Sequence, residues 1–407
     1  MSKTVVIVGA NLAGGRAAGA LRDEGYDGRI VLVGEEPSLP YERPPLSKEM
    51  LWNAGARPDS FYLNDERFYD DQKIELRLAS RVDKLDLSRQ RVVLASAEEI
   101  HADNILLCTG TGARRLTVEG SDLAGVHYLR NVADSVALAA RLVPGARVAI
   151  VGMGVIGSEV AASAVRLGCE VTCIEPLPVP MARILGSQCG QWLAAEHARH
   201  GVSVHLGTVI ARFSGSGGRL EAVITGAGDR IPADVAVVGI GAIPAVGLAE
   251  RAGIRTDNGI VVDRFCRTSV PEVYAAGDVA NQPGFFGGRA RLETFQNAQN
   301  HALAAAANIA GRAVEYQCVP WAWSDQYDLN IQVAGQISDS DEKVMRGDQA
   351  QRNFSMFFLH EGVVHGLVTV NRGQDMAAGK RMIERRLAPD KYRLGEGQVN
   401  LRTLLAA

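Results

Sequence analysis

Two short apolar runs, Val5-Val6-Ile7-Val8 and Val148-Ala149-Ile150-Val151, are each followed at once by a glycine-rich turn. Mostly small and apolar residues come next, Ala13 to Leu21 in the first case and Ser158 to Leu167 in the second. The pattern predicts strand, turn and helix, twice over. A further apolar run closes each unit: Ile30-Val31-Leu32-Val33 beyond Gly25 and Gly28, and Val171-Thr172-Cys173-Ile174 beyond Gly168. Unbroken apolar runs of this length are the signature of parallel strands buried on both faces, so both units read as βαβ. Three more buried-strand runs are predicted at Ile105–Gly110, Ala236–Gly241 and Val273–Asp278, the second leaving through a turn at Ile243-Pro244. After Pro320 the texture changes. Beyond Trp321-Ala322-Trp323-Ser324-Asp325-Gln326-Tyr327, the segments Ile331–Ala334, Phe354–Leu359 and Val363–Val370 alternate as antiparallel strands do, with Glu361-Gly362 as a hairpin turn. Asp375 to Leu387 follows as a predicted helix with a basic face of Lys380, Arg381, Arg385 and Arg386.

The two turns carry the chemistry. Gly9-Ala10-Asn11-Leu12-Ala13-Gly14 and Gly152-Met153-Gly154-Val155-Ile156-Gly157 both stand between a strand and a helix, the setting in which such glycines admit a pyrophosphate to a helix N-terminus. An acidic residue at the end of the second strand of each unit accepts hydrogen bonds from the adenosine ribose: Glu35, with Glu36 beside it, and Glu175. A carboxylate at 175 repels a 2′-phosphate and favours NADH over NADPH. Arg183, expected in the following loop, is the dissenting residue: an arginine there could meet an adenosine phosphate, but binding to the pyrophosphate or simple exposure fits it better. Asn11 stands where the fingerprint has its middle glycine; asparagine tolerates unusual backbone angles, but its side chain reaches toward the pyrophosphate. Two pyrophosphate sites mean two dinucleotides, and the natural reaction between them is hydride transfer from a nicotinamide to a flavin.

Composition narrows the classes. The 407 residues exceed one compact core, 47 % are hydrophobic and 22 % charged, and the net charge of −3 provides no basic field for nucleic acid. No apolar run is long enough to span a bilayer or to serve as a signal-peptide core, so a cytoplasmic protein with no membrane or nucleic-acid partner is expected. Six scattered cysteines (Cys108, Cys169, Cys173, Cys189, Cys266, Cys318) have neither CxxC nor zinc spacing, and no metal site is expected. None precedes Cys108, which argues against a thiol-based flavoenzyme such as a disulfide reductase or a peroxide-reducing NADH oxidase. A non-enzymatic, NADH-sensing flavoprotein of the apoptosis-inducing type is the other rival; the basic surface and long insertions of those proteins are not seen.

In this order, Tyr41-Glu42-Arg43-Pro44-Pro45-Leu46-Ser47-Lys48, Cys108-Thr109-Gly110, Leu129-Arg130-Asn131, Val155-Ile156-Gly157-Ser158-Glu159, Ala276-Gly277-Asp278-Val279, Glu293-Thr294-Phe295-Gln296-Asn297-Ala298-Gln299 and Trp321-Ala322-Trp323-Ser324-Asp325-Gln326 resemble the FAD-dependent, NADH-using ferredoxin reductases of bacterial aromatic-ring dioxygenases and cytochromes P450. The resemblance covers nearly the whole chain. It implies an α/β fold like that of glutathione reductase, with two Rossmann-type dinucleotide-binding domains and a C-terminal α+β domain. FAD would occupy residues 1–112 and 244–319, NADH residues 113–243, and residues 320–407 would form an interface domain. The implied FAD site comprises Gly9, Asn11, Ala13, Gly14, Glu35, Arg43 and Lys48, then Val82, Thr109, Gly110, Arg130, Asp278, Phe295 and Gln296. The implied NADH site comprises Gly152, Gly154, Val155, Ile156, Gly157, Glu175, Arg183 and Gly241. Lys48 paired with Glu159 would be the catalytic pair, the ammonium stabilising negative charge as hydride arrives. Phe295 departs from relatives that carry tryptophan there, which puts an electron-relay role for that ring in doubt. The implied partner is an acidic [2Fe-2S] ferredoxin, docking on basic and aromatic residues of the C-terminal region, and a weak homodimer is the expected assembly.

Overall fold

Val5 and Ile7 point into one apolar layer and Val6 and Val8 into another, so the first strand is buried on both faces. A computed structural model describes residues 3–53 and 55–406. The chain divides into two compact units, one of Met1–Arg43, Arg57–Gly112 and Ala242–Pro320, the other of Pro44–Ala56, Ala113–Gly241 and Trp321–Ala407.

The first unit is built on a parallel sheet whose strands run in the order Val273–Ala275, Asn104–Leu107, Thr4–Val8, Arg29–Val33, Ile74–Arg77. Chain order reverses between Thr4–Val8 and Asn104–Leu107. That switch point is where open α/β sheets leave a crevice at their carboxyl ends, and it is where the first fingerprint lies. The helices Leu12–Asp23 and Phe295–Ile309 share one of the apolar layers with Ile7, Ile30 and Leu106. A three-stranded antiparallel sheet of Val82–Asp86, Arg91–Leu94 and Glu99–His101 contributes Leu85, Val92, Leu94 and Ile100 to the other.

The second unit repeats the plan with strands in the order Ser203–Leu206, Glu170–Glu175, Arg147–Val151, Val235–Val238, Val126–His127, all parallel. It also holds an antiparallel sheet in the order Trp321–Gln326, Leu329–Gly335, Val363–Val370, Asn353–His360, Glu342–Asp348, with the helix Gly373–Glu384 beside it. Glu361 (φ 52°) and Gly362 (φ 82°) both take left-handed angles, as a two-residue hairpin turn matched to strand twist demands.

Four elements differ from what the sequence pattern indicated. The tryptophan segment is itself an edge strand, its alternation hidden because the residues it buries, Ser324 and Gln326, are polar. Glu342–Asp348 is a strand that its charged surface disguised. The helix ends at Glu384, so Arg385 and Arg386 lie past its last turn and only Lys380 and Arg381 of the expected basic face are helical. Arg183 is not in a loop: left-handed Met181 (φ 50°) starts the helix Ala182–Arg199, interrupted only at Gly186, and Arg183 is exposed in its first turn.

Candidate dinucleotide and redox site

In each fingerprint the first and last glycines are fixed by backbone contact. A Cβ on Gly14 would stand 1.9 Å from the Gly9 carbonyl oxygen, and one on Gly157 would stand 1.9 Å from that of Gly152. Gly9 (φ 116°) is pressed so closely on the next strand that a Cβ there would be 2.2 Å from the Cys108 oxygen. These positions admit no side chain, and they bring the two helix N-termini up against their strands.

The middle positions differ. Gly154 caps its helix with no side-chain hydrogen bond, and a Cβ there would meet nothing within 4 Å. Open space at a helix N-terminus with free N–H groups is what a pyrophosphate requires, so the residues present fit a dinucleotide. At Asn11 the side chain folds back onto the protein: Nδ2 donates to the Cys108 carbonyl at 2.5 Å and Oδ1 accepts from Gly14 N at 3.2 Å. Asn11 is therefore a helix N-cap, a contribution of about 1 kcal/mol, and it ties the turn to the strand that a second glycine would leave unlinked.

The acidic residues are placed differently as well. Glu175 is buried, its Oε2 accepting from Met153 N at 2.6 Å and its Oε1 from Leu177 N at 2.9 Å, so the carboxylate is held against the fingerprint loop by two amides. Each oxygen keeps a lone pair for a hydroxyl donor. Glu35 is exposed, whereas its neighbour Glu36 accepts from Arg43 Nη2 at 2.7 Å and from the Tyr41 hydroxyl at 2.5 Å. Burial pulls the Arg43 guanidinium downward, but Tyr41, Glu36 and Asp278 together hold its pKa above the ordinary value. Sequence reasoning did not find this Glu36–Arg43–Tyr41 cluster; the second glutamate beside Glu35 and the tyrosine two residues before Arg43 were its only signal.

The remaining predicted FAD residues fall in both units. Ala13 packs under Gly277, Val82 opens an antiparallel strand, Thr109 Oγ1 donates to the Ala245 carbonyl at 2.9 Å, and left-handed Gly110 accepts from Ala245 N. Asp278 is half-buried in the turn Gly277–Val279, and Phe295 and Gln296 open a helix capped by Thr294. All of these belong to the first unit, while Lys48 and Arg130 belong to the second, Arg130 just before a helix whose cap Asn131 and N3 residue Asp134 form a capping box. Among the NADH residues, Val155 and Ile156 form the first turn after Gly154, and Gly241 (φ 102°) follows the strand Val235–Val238 with open space around it.

Lys48 and Glu159 do come together. Pro44 and Pro45 set a tight turn over Pro44–Ser47, which is anchored where the Ser135 hydroxyl donates to the Leu46 carbonyl (2.8 Å) and the Ser163 hydroxyl to the Ser47 carbonyl (2.7 Å). Lys48 then stands 3.3 Å from Glu159 Oε1, the two side chains 12 % and 3 % exposed. Glu159 also accepts from the Ser47 hydroxyl at 2.5 Å and the Ser324 hydroxyl at 2.9 Å. Burial pushes the Glu159 pKa above the ordinary carboxylate range, outweighing the opposing pull of Lys48 and the two serines. The hydroxyls were missed in the sequence although Ser47 and Ser324 lie inside the quoted motifs, because neither motif shows which carboxylate they meet.

Among the described residues no cysteine forms a disulfide. Burial pushes the Cys108, Cys173 and Cys266 thiols far up and that of Cys189 to about 12, so none of these four is a thiolate at neutral pH. Among the described residues no group of His, Cys, Asp and Glu could hold a metal ion, and no helix is long and apolar enough to cross a membrane.

Comparison with known proteins agrees with this anatomy. Residues 3–302 match the family pyridine nucleotide-disulphide oxidoreductase, and residues 321–405 match the reductase C-terminal family. A ferredoxin–NAD(P)+ reductase of Sphingomonas sp. is 40 % identical over 93 % of this chain and 92 % of its own. The ferredoxin–NAD+ reductase component of the biphenyl dioxygenase system of Paraburkholderia xenovorans is 40 % identical over 100 % of this chain and 99 % of its own. Among solved structures, the ferredoxin reductase for the CYP199A2 system of Rhodopseudomonas palustris superposes with a TM-score of 0.95 at 36 % identity, covering 98 % of this chain and 99 % of its own. A covalent putidaredoxin reductase–putidaredoxin complex gives 0.95 at 33 % identity, over 99 % and 98 %.

Proposed function

We propose how this chain, which belongs to the pyridine nucleotide-disulphide oxidoreductase family and within it to the ferredoxin–NAD(P)+ reductases, carries out its reaction. It is an FAD-dependent oxidoreductase whose electron acceptor is a ferredoxin, and that ferredoxin serves an aromatic-ring dioxygenase or a cytochrome P450. Bound FAD supplies the conversion of one two-electron hydride transfer into two one-electron transfers. The observation that carries the reading is a pair of glycine-lined, strand-anchored helix N-termini in one chain that offers no thiolate among its buried cysteines. Anaerobic addition of NADH should bleach the flavin absorbance of the holoprotein, and it should do so equally after alkylation of accessible thiols.

In this reading the first fingerprint holds FAD and the second NADH, with residues 1–112 and 244–319 as the FAD domain, 113–243 as the NADH domain and 320–407 as the interface domain. Arg43, held by Glu36 and Tyr41 and facing Asp278, is a fixed cation for the FAD diphosphate side. The Glu175 carboxylate selects NADH. Glu175→Arg should lower the NADH-to-NADPH preference, measured as the ratio of kcat/KM values, by about tenfold or more; a ratio equal to that of the parent would remove Glu175 from ribose recognition. The ratio is the right readout because losing the two amide contacts affects both nucleotides alike.

Lys48 supplies positive charge where negative charge grows during hydride arrival, and Glu159 fixes its position. Lys48→Ala should retain FAD and slow flavin reduction in stopped-flow by about tenfold to a hundredfold; reduction at the parent rate would exclude Lys48 from the mechanism. The acceptor is a [2Fe-2S] ferredoxin with an acidic face, suited to Lys380, which lies 5.2 Å over the Trp321 ring, and to the stacked Trp321–Trp323 pair. The proposal also includes a cytoplasmic location and a weak homodimer.

A further inference from the structure

A single helical turn does not hold itself together in water, and Glu49–Trp52, which follows Lys48, is no longer than that. Its support comes from the helix Val155–Arg166. Glu159, Ser163 and Arg166 stand four and then three residues apart on that helix, a spacing that brings them to one face. All three meet the same short stretch of chain. Glu159 takes the Ser47 hydroxyl and the Lys48 ammonium, the Ser163 hydroxyl donates to the Ser47 carbonyl at 2.7 Å, and the Arg166 guanidinium lies 3.7 Å from the centre of the Trp52 ring. Trp52 is tied to Lys48 in turn, since the Lys48 carbonyl accepts from Leu51 N at 2.8 Å and from Trp52 N at 3.3 Å. Burial makes the first two contacts obligatory: Glu159 and Ser163 lie in a stretch buried from Gly157 to Ala164, where a polar group needs a partner.

We propose that Ser163 and Arg166 are positioning residues for Lys48, which together fasten residues 47–52 to the helix Val155–Arg166 on both sides of the lysine. Ser163 fixes the backbone one residue before Lys48, and Arg166 fixes the turn after it. The ion pair alone is a weak clamp. At 3.3 Å the Lys48–Glu159 contact is longer than a strong charge-assisted hydrogen bond, and a lysine stem has four carbons over which to swing. Anchoring the backbone on either side removes most of that freedom. The proposal rests on the roles given above to Lys48 and to the turn at Gly154. Under those roles one rigid helix receives NADH at its N-terminus and sets the ammonium from its side, so nucleotide and charge share a single frame.

The test is the rate at which acetic anhydride acetylates Lys48 in the FAD-loaded protein, read by peptide mass against the exposed Lys84. Ser163→Ala and Arg166→Ala should each raise that rate by about threefold, and Arg166→Lys, which keeps a cation for the ring, should raise it less than Arg166→Ala does. Labelling at the parent rate in either alanine variant overturns the proposal. Arg166 is exposed, so its variant carries the test alone should Ser163→Ala not fold. Stopped-flow flavin reduction gives the second reading: each alanine variant should slow reduction by about threefold, and that loss should vanish when Lys48→Ala is already present. A loss of the same size in the Lys48→Ala background would mean that the two residues do not act through the lysine, and would overturn the proposal as well. If labelling rises but Lys48→Ala alone reduces its flavin at the parent rate, the anchoring stands and the catalytic role of Lys48 falls.

Discussion

Gly157→Ala is expected to lower kcat/KM for NADH by about a hundredfold or more while the protein still purifies with FAD. The added methyl would sit 1.9 Å from the Gly152 oxygen and 3.1 Å from its carbon, and both are backbone atoms that cannot swing aside. The helix Val155–Arg166 must therefore move off its strand, and displacement of a binding element by about 1 Å is enough for a hundredfold loss. Gly154→Ala makes the opposite prediction for the protein itself. Its Cβ meets nothing within 4 Å and its backbone is extended, so the melting temperature should equal that of the parent. If the open space belongs to a pyrophosphate, the same methyl should weaken NADH by on the order of tenfold, about 1.4 kcal/mol. Steady-state kinetics with thermal unfolding on both variants decide the matter. NADH kinetics in Gly157→Ala equal to the parent would take the nucleotide away from this turn.

The second large effect is on stability in mild acid. His301 is buried and stacked on Tyr316, with Nδ1 unpartnered, and burial lowers its pKa to about 3. His197, buried in the other unit, is lowered to about 4. Both pKa values are depressed below the unfolded value of about 6.5, so the stability tied to the neutral rings is complete above that pH and is lost as pH falls toward the folded values. Between pH 7 and pH 5 each histidine should cost its unit about 2 kcal/mol. Glu159 acts with the opposite sign, since its raised pKa makes proton uptake favour the folded state. Asp234, lowered to about 2 by Arg147, loses its contribution only at lower pH and leaves this window clean. Urea unfolding at pH 7 and pH 5, repeated for His301→Asn, should show a smaller pH dependence for the first unit in the variant. Equal dependence in parent and variant would contradict the assignment.

How much of this was readable beforehand follows from where each signal resides. Strands buried on both faces announce themselves as apolar runs, and Thr4–Val8, Arg147–Val151 and Glu170–Glu175 were found within a residue of their observed limits. The edge strand Trp321–Gln326 was not, because the residues it buries are polar, Ser324 against a carboxylate and Gln326 against Ser324, which reverses the apolar alternation. The ribose carboxylates were placed by position, yet position could not tell that Glu175 would be tied by two amides or that Arg43 would bind Glu36 and leave Glu35 exposed. Arg183 was expected in the loop after the strand ending at Glu175, whereas a single left-handed residue, Met181, is enough to start a helix there. The Lys48–Glu159 contact joins residues far apart in the chain. Only the resemblance proposed it, since no local pattern records which lysine a buried glutamate meets.

The C-terminal sheet gains a role from this geometry beyond offering a surface. Its first strand delivers Ser324 to the same carboxylate that the Pro44–Ser47 turn reaches from the other side, so the pairing of Lys48 with Glu159 depends on three stretches of sequence at once. A substitution in any of them should register in flavin chemistry before it registers in folding.

The central claim is that electrons pass from NADH through FAD to a ferredoxin. Its most direct test is NADH-driven cytochrome c reduction by the purified holoprotein with and without an added [2Fe-2S] ferredoxin. The account predicts fast reduction only when NADH, the reductase and the ferredoxin are all present. Equal rates with the ferredoxin left out, or no response to it, would contradict it.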